Sequence, residues 1–471
     1  MKETIRLVHT NDLHSHFEHW PKMRRWIQTR RKESQANHIN MYAVDLGDFC
    51  DRSHPLTEAT DGRANVQLMN EIGYTGVTIG NNEGIGNSHD QLETLYIGGN
   101  FDVVLANLKD RHKEEYPKWL TPYKIETTLE GTKIAFIGLT APFPLTYEPN
   151  GWDILNPIEV LNTLVPKLKE QADVIVLLSH LGIKREIEIA QQFKDIDVIL
   201  GSHTHQLFTE GKWVNQTLLA AAGKYGEYIG EVTLVCDTHQ LVEKKASVYA
   251  VDQMEAKERD SSEVEEYINR GKALLTNQVI GYLPATFSPV QSSSALSYTE
   301  LGLLAVKEYA GVEAAVLNSG LFLSSLSKGE VTKEALHRTI PHPMHIMKVT
   351  FTGKELDRFI REMEKNRLYL EKFPMVGMGF RGKIFGHLMY SGLSYHAETK
   401  QTYYLDQPIQ FEKSYTIATV DHYLFIPFFP TIELAGQVEM LFPEFLRNVV
   451  EQFITEHYSY PQKIAIMNRK D

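Results

Sequence analysis

The sequence predicts an α/β layered domain followed by a separate α+β domain. Three observations carry that prediction. The chain has 471 residues, too many for one ordinary core, and a prior of about 100–200 residues per domain points to two or three domains. Its first half alternates short apolar, β-rich runs with helical patterns, the signature of a layered α/β unit. Around residues 250–275 the pattern changes to a charged, helical stretch, "VDQMEAKERDSSEVEEYINRGKALL". The expected organisation is 1–250, a helical linker over 251–275, and 276–471.

Taken in order, "TIRLVHT", "INMYAVDLGD", "GVTIGN", "FDVVLANL", "TKIAFIGLT", "DVIVLLSH" and "IDVILGSHTH" read as buried strands, because their apolar runs are short and rich in β-branched residues. "RANVQLMNEIG" and "KREIEIAQQF" between them read as helices. Beyond the linker, "YTELGLLAVKEYAG" and "GKELDRFIREMEK" read as helices, and "IMKVTFTG" and "KSYTIATVDHYLF" as strands. The cluster "FSPVQSSSALS" reads as a loop.

Hydrophobic residues make up 42% and charged residues 23%, ordinary for a soluble globular protein. A net charge of −12 argues against a nucleic-acid or membrane-surface binder. It leaves room for an anionic small molecule, because bound metal ions reverse local charge. The N-terminus runs straight into a strand without a secretory pattern, and no apolar run approaches the roughly 20 residues of a membrane span. With only Cys50 and Cys236, a reducing cytoplasm and free thiols are expected. No obligate protein partner is indicated.

In α/β domains functional groups gather at the carboxyl ends of strands. Here Asp12 and His14 follow the first strand, Asp48 closes "AVDLGD", Asn81 follows "VTIG", His180 ends "VIVLLSH", and His203 and His205 follow "VILG". Any one of these is ordinary at a strand end; five strands ending in ligand-type residues on one rim are not. Carboxylate, amide and imidazole donors together suit first-row divalent ions. Seven side chains exceed the needs of one catalytic ion, and suit two ions sharing a carboxylate. Two dications and two aspartates leave about +2, suited to a phosphate ester and a bridging hydroxide.

"TNDLHSH", "DLGD", "GNNEG", "LLSHLG" and "GSHTH", in this order, resemble the calcineurin-like metallophosphoesterases. "LMNEIGYTGVTIGNNE", "LANL", "IAFIGLTAPF" and "AAGKYGEYIGEVTL" resemble the 5′-nucleotidase and UDP-sugar hydrolase family more specifically. The resemblance covers the first domain and continues more faintly through the second. It implies a four-layer αββα sandwich with a dinuclear site, then an α+β C-terminal domain of 5′-nucleotidase type that binds the nucleotide. It implies one ion on Asp12, His14, Asp48 and His205, and another on Asp48, Asn81, His180 and His203, with Asp48 bridging. The ions would be manganese, zinc or iron.

The chain departs from that family at "GNNEG". The family pattern is Gly-Asn-His-Glu/Asp, then an aromatic and an Asp; here Asn82 stands for the histidine and Ile85 for the aspartate. In the family that histidine stabilises the transition state or protonates the leaving group. Asn82 carries no proton across, but its amide can donate a hydrogen bond to developing charge. His16 and Glu83 are the nearby candidates to supply a proton. In the second domain "VLNSGLFLSSLSKGEVT" resembles the family's N-x-GG-I-R segment, with Leu323 at the arginine position. Asn318, Arg381, His387 and Tyr423 are the candidate substrate contacts there: Arg381 for phosphate, Tyr423 for stacking, and His387 where an aromatic clamp would be.

The expected function is therefore a cytoplasmic, dinuclear-metal-dependent phosphohydrolase of nucleotide catabolism, acting on a nucleotide or related phosphate ester. A pyrophosphohydrolase or cyclic phosphodiesterase fits the same residues. The alternative is a metal-binding regulatory or binding protein of the same fold with little turnover.

Overall fold

A computed structural model describes residues 2–289, 296–377 and 379–459. The chain divides into two compact units, residues 1–271 and 272–471. The centre of the predicted loop "FSPVQSSSALS", residues 290–295, lies outside the described residues.

Two sheets make the first unit. One has seven strands, in the order Gln240–Ala250, Tyr228–Asp237, Lys2–Thr10, Asn40–Asp45, Gly76–Val77, Asp102–Val104 and Leu120–Thr121. The other has six, in the order Lys212–Val214, Thr217–Ala220, Val198–Gly201, Val174–His180, Lys133–Thr140 and Tyr123–Thr127. Every residue of Val174–His180 is buried, and its alternation explains why. Val174, Val176 and Leu178 enter the core between the sheets, with Ile5, Leu7 and Val44 of the first sheet. Ile175 and Leu177 face the other way, onto Leu161, Val165 and Ile189 of the helices Pro157–Lys169 and Ile183–Gln192. A strand covered on both faces has no solvent face to spend on polar residues. The first sheet's outer face likewise packs on the helix Trp20–Ala36 through Trp20, Met23 and Ile27. The result is the αββα sandwich.

The stretch read as a linker folds into the helix Arg259–Thr276. Arg24 of the first helix binds Glu263 through two hydrogen bonds of 2.7 and 2.9 Å, and Arg25 binds Asp260 at 2.5 and 2.8 Å. Most of that stretch thus belongs to the first unit rather than standing clear of it.

The second unit holds a mixed five-stranded sheet, ordered Leu388–Ser391, Ala315–Asn318, Ser414–Val420, His345–Thr352 and Gln437–Phe445. Its core joins those strands to the helices Tyr298–Ala310, Gly353–Leu370 and Leu446–His457, with Val306, Phe359 and Val450 among the buried side chains. No helix among the described residues is long and apolar enough to cross a membrane.

Candidate metal centre

The seven candidate ligands all come from the first unit, and the turns that carry them are tight. Asp12, His14, Asp48, His203 and His205 have φ of 49°, 50°, 53°, 71° and 56°. That left-handed region costs an L-residue roughly 1–2 kcal/mol, and such conformations gather at functional sites. Each sits where a strand has just ended and the chain reverses, which aims the side chain back over the rim. Gly47 and Gly80 allow the turns to touch. A Cβ on Gly47 would lie 2.2 Å from the Gly80 nitrogen, and one on Gly80 would lie 1.9 Å from Asp48 Oδ1.

The side chains gather in two groups, Asp12–His14–His205 and Asp48–His180–His203. His14 Nε2 lies 3.2 Å from His205 Nε2, and Asp12 Oδ1 lies 3.6 Å from His205 Nε2. Asp48 Oδ2 is 3.7 Å from His14 Nε2 and 3.4 Å from His180 Nε2, so this one oxygen stands between the groups. His180 Nδ1–H donates to the Leu46 carbonyl at 2.8 Å, leaving Nε2 to face the site. Asn81 Oδ1 and His180 Nε2 are buried without a hydrogen-bond partner. Two orphaned donor atoms among carboxylates and imidazoles fit first-row divalent ions.

The site's own charges are strongly coupled. Burial, with Asp48 nearby, pushes Asp12 up to about 7. Burial alone would lower His180, but the Asp48 carboxylate outweighs it and raises the imidazole to about 10. Burial likewise acts to raise Asp48, and His180 more than offsets it, holding the carboxyl below its ordinary range. Burial lowers both His203 and His205 to about 4, which keeps them neutral as lone-pair donors.

The "GNNEG" turn is a helical turn, Asn81–Gly84. Glu83 is buried and accepts three backbone N–H groups, from Gly80 at 2.8 Å, Asp48 at 2.9 Å and Cys50 at 2.7 Å. It staples this turn to the Asp48 turn, which explains why a carboxylate sits there. Glu83, expected as a nearby proton source, thus has both carboxyl oxygens engaged by backbone N–H groups. Asn82 is also turned inward. Its Nδ2 contacts His14 Nδ1 at 2.9 Å and the Cys50 carbonyl at 3.0 Å, and its Oδ1 accepts from Asn81 Nδ2 at 3.1 Å. The amide expected to reach a leaving group is engaged with two candidate ligands instead. His16 is 43% exposed and stacks on Tyr225 at 3.9 Å.

Sequence reasoning missed the residues that hold this rim together. Asn11 donates to Asp12 Oδ2 at 2.9 Å and to the Gly223 carbonyl at 2.7 Å, and the Tyr225 N–H donates to the Asp12 carbonyl at 2.8 Å. The "AAGKYGEYIG" segment signalled its presence, though not its bonding.

The second-unit candidates do not form one recognition surface. Tyr423 is fully buried against Phe385 and Phe429, and its hydroxyl donates to Asn318 Oδ1 at 3.0 Å. Asn318 Nδ2 donates to the Phe385 carbonyl at 2.5 Å. Asn318 and Tyr423, expected as substrate contacts, are both fully buried and bonded to each other. His387 is 67% exposed and pairs with Glu371 at 3.2 Å. Arg381 donates its backbone N–H to His342 Nδ1 at 2.8 Å and its guanidinium to the Phe380 carbonyl at 3.3 Å.

Comparison with known proteins agrees with this architecture. The calcineurin-like phosphoesterase family matches residues 5–207, and the 5′-nucleotidase C-terminal domain family matches residues 285–425. The uncharacterized metallophosphoesterase YunD of Bacillus subtilis (strain 168) is 38% identical over 468 residues, covering 96% of this chain and 99% of that protein. The chain belongs to the 5′-nucleotidase family. Among solved structures of this fold, the NAD nucleotidase of Haemophilus influenzae gives a TM-score of 0.65 at 16% identity, over 98% of this chain and 97% of that one. A 5′-nucleotidase precursor from Thermus thermophilus gives 0.56 at 19%, over 97% of each chain. At these identities the likeness to 5′-nucleotidase family structures is one of fold.

Proposed function

We propose that this protein is a dinuclear-metal-dependent phosphohydrolase acting on a nucleotide or related phosphate ester. The observation that carries the reading is Asp48 Oδ2, set between His14 and His180 where one carboxylate can serve two ions. Asp12, His14, Asp48 and His205 would hold one ion, and Asp48, Asn81, His180 and His203 the other. Bound there, two divalent ions supply Lewis acidity and an acidified water. The chain's own residues orient that assembly. Leu46 fixes the His180 ring, Asn82 abuts His14 and Asn81, and Glu83 locks the two turns. No acid is engaged at Asn82, so leaving groups that carry their own negative charge suit the site best.

The C-terminal family match supports the nucleotide class, and the inward Asn82 favours the second reading, a protein that binds ions without much turnover. The two cysteines are buried and free, which supports a cytoplasmic setting; recovery from the envelope fraction would count against it. The deciding experiment is a substrate screen with manganese, zinc or iron restored, spanning aryl phosphates, nucleoside monophosphates, nucleotide sugars, dinucleotides and cyclic nucleotides. Metal-dependent hydrolysis is expected. Two bound ions with no turnover on any substrate would favour the binding protein.

A further inference from the structure

A second group of donor side chains converges in the first unit, sharing no residue with the metal centre. His89 and Glu93 lie one turn apart on the helix His89–Leu95, and Asp110 ends the strand Leu108–Asp110. One ligand atom from each lies within 4.8 Å of the others. His89 Nε2 is 3.4 Å from Asp110 Oδ2. A tetrahedral ion with bonds of about 2.0–2.1 Å spaces its ligands roughly 3.3–3.4 Å apart.

Three further features point to a cation. His89 Nε2 and Glu93 Oε1 are buried atoms with no hydrogen-bond partner, an arrangement that is costly unless something meets them. Asp110 is 1% exposed, and its Oδ1 already accepts from the backbone N–H of His112 at 2.9 Å and Lys113 at 3.1 Å, which leaves Oδ2 for the cluster. The His89 ring is stacked on the buried Trp152 at 4.2 Å and 23°, so its donor atom is held in place. The positive charge on the cluster is the Lys113 ammonium, 2.6 Å from Asp110 Oδ2 and 3.8 Å from Glu93 Oε1. Its side chain is 61% exposed and can swing into solvent. It hydrogen-bonds Asp110 and stands at longer range from Glu93.

We propose that His89, Glu93 and Asp110 form a separate site for a first-row divalent cation such as zinc, which binds in competition with Lys113. An imidazole with two carboxylates is a donor set such ions accept. The ion would clip the segment following the "GNNEG" turn to the strand Leu108–Asp110.

The test uses the full chain, stripped with chelator, titrated with Zn²⁺ and read by native mass spectrometry, beside His89→Ala, Glu93→Gln and Lys113→Met. Wild type is expected to hold one zinc more than His89→Ala, whatever the total. That comparison separates this site from any outcome at the metal centre. Lys113→Met keeps all three donors and removes the competing charge, so it should take up that zinc several-fold more tightly. Equal zinc uptake by wild type and His89→Ala, or a Lys113→Met chain that binds no tighter, would leave only a surface ion pair and overturn the proposal.

Discussion

At the scale of single residues, the rim is a set of shared atoms. Because Asp48 Oδ2 faces both groups, Asp48→Ala should lose both ions, whereas His205→Ala should lose chiefly one. Metal content after reconstitution reads this directly, and retention of one full ion by Asp48→Ala would sink the bridging role. Asn82 makes a second case. With its side-chain nitrogen against His14 Nδ1 and the Cys50 carbonyl, Asn82→Ala should weaken metal retention, and the rate should depend steeply on leaving-group pKa with or without it. Aryl phosphates should be cut far faster than AMP; a flat dependence with chemistry rate-limiting would point to an acid, with His16 the first to mutate. The seven candidate ligands were legible because chain order put each at a strand end. The inward turn of Asn82 and the staple of Glu83 were not, because both depend on Asp48 and Cys50 meeting a turn some 30 residues away.

At the scale of elements, the apolar strands were legible because both of their faces are covered and their sequence says so. The hairpin Tyr228–Asp237 and Gln240–Ala250 was not. Its second strand lies at the sheet edge with only Ala246 buried, so its residues read as surface. The short helix His422–Phe425 was read as a continuing strand; the sequence carries no glycine or proline before it to mark the change. Just there, Asp421 is half-buried, and desolvation pushes its carboxyl up to about 7 against the backbone N–H groups that bond it. A raised folded-state value means the native form holds the proton more tightly than the unfolded one. That contribution is fully present below about 4 and is lost as pH rises through about 7, at up to about 1.4 kcal/mol per pH unit. Denaturation of the second unit should therefore become easier as pH rises from about 4 to about 7. Asp421→Asn should flatten the change; an unchanged pH slope would clear Asp421 of the effect.

At the scale of the whole molecule, chemistry and length divide cleanly. All seven candidate ligands of the metal centre fall before residue 206, inside the first unit. A chain of residues 1–276, ending with the helix Arg259–Thr276, should bind the same number of ions as the full protein. Loss of metal from a folded 1–276 chain would show that the second unit helps hold the centre. Two domains were legible from length and from the change of pattern. The second unit's recognition residues were not, because an asparagine and a tyrosine that satisfy each other in a core look, in sequence, like a pair waiting for a ligand.

The left-handed turns under Asp12, His14, Asp48, His203 and His205 also bear on how this protein tolerates change. Glycine adopts that backbone freely, so at each of these positions a mutation that destroys the ligand also relaxes the chain. His205, 32% exposed, is where the exchange should be clearest, with a metal-free His205→Gly chain melting no lower than the parent. Selection for stability alone would erode this rim one glycine at a time.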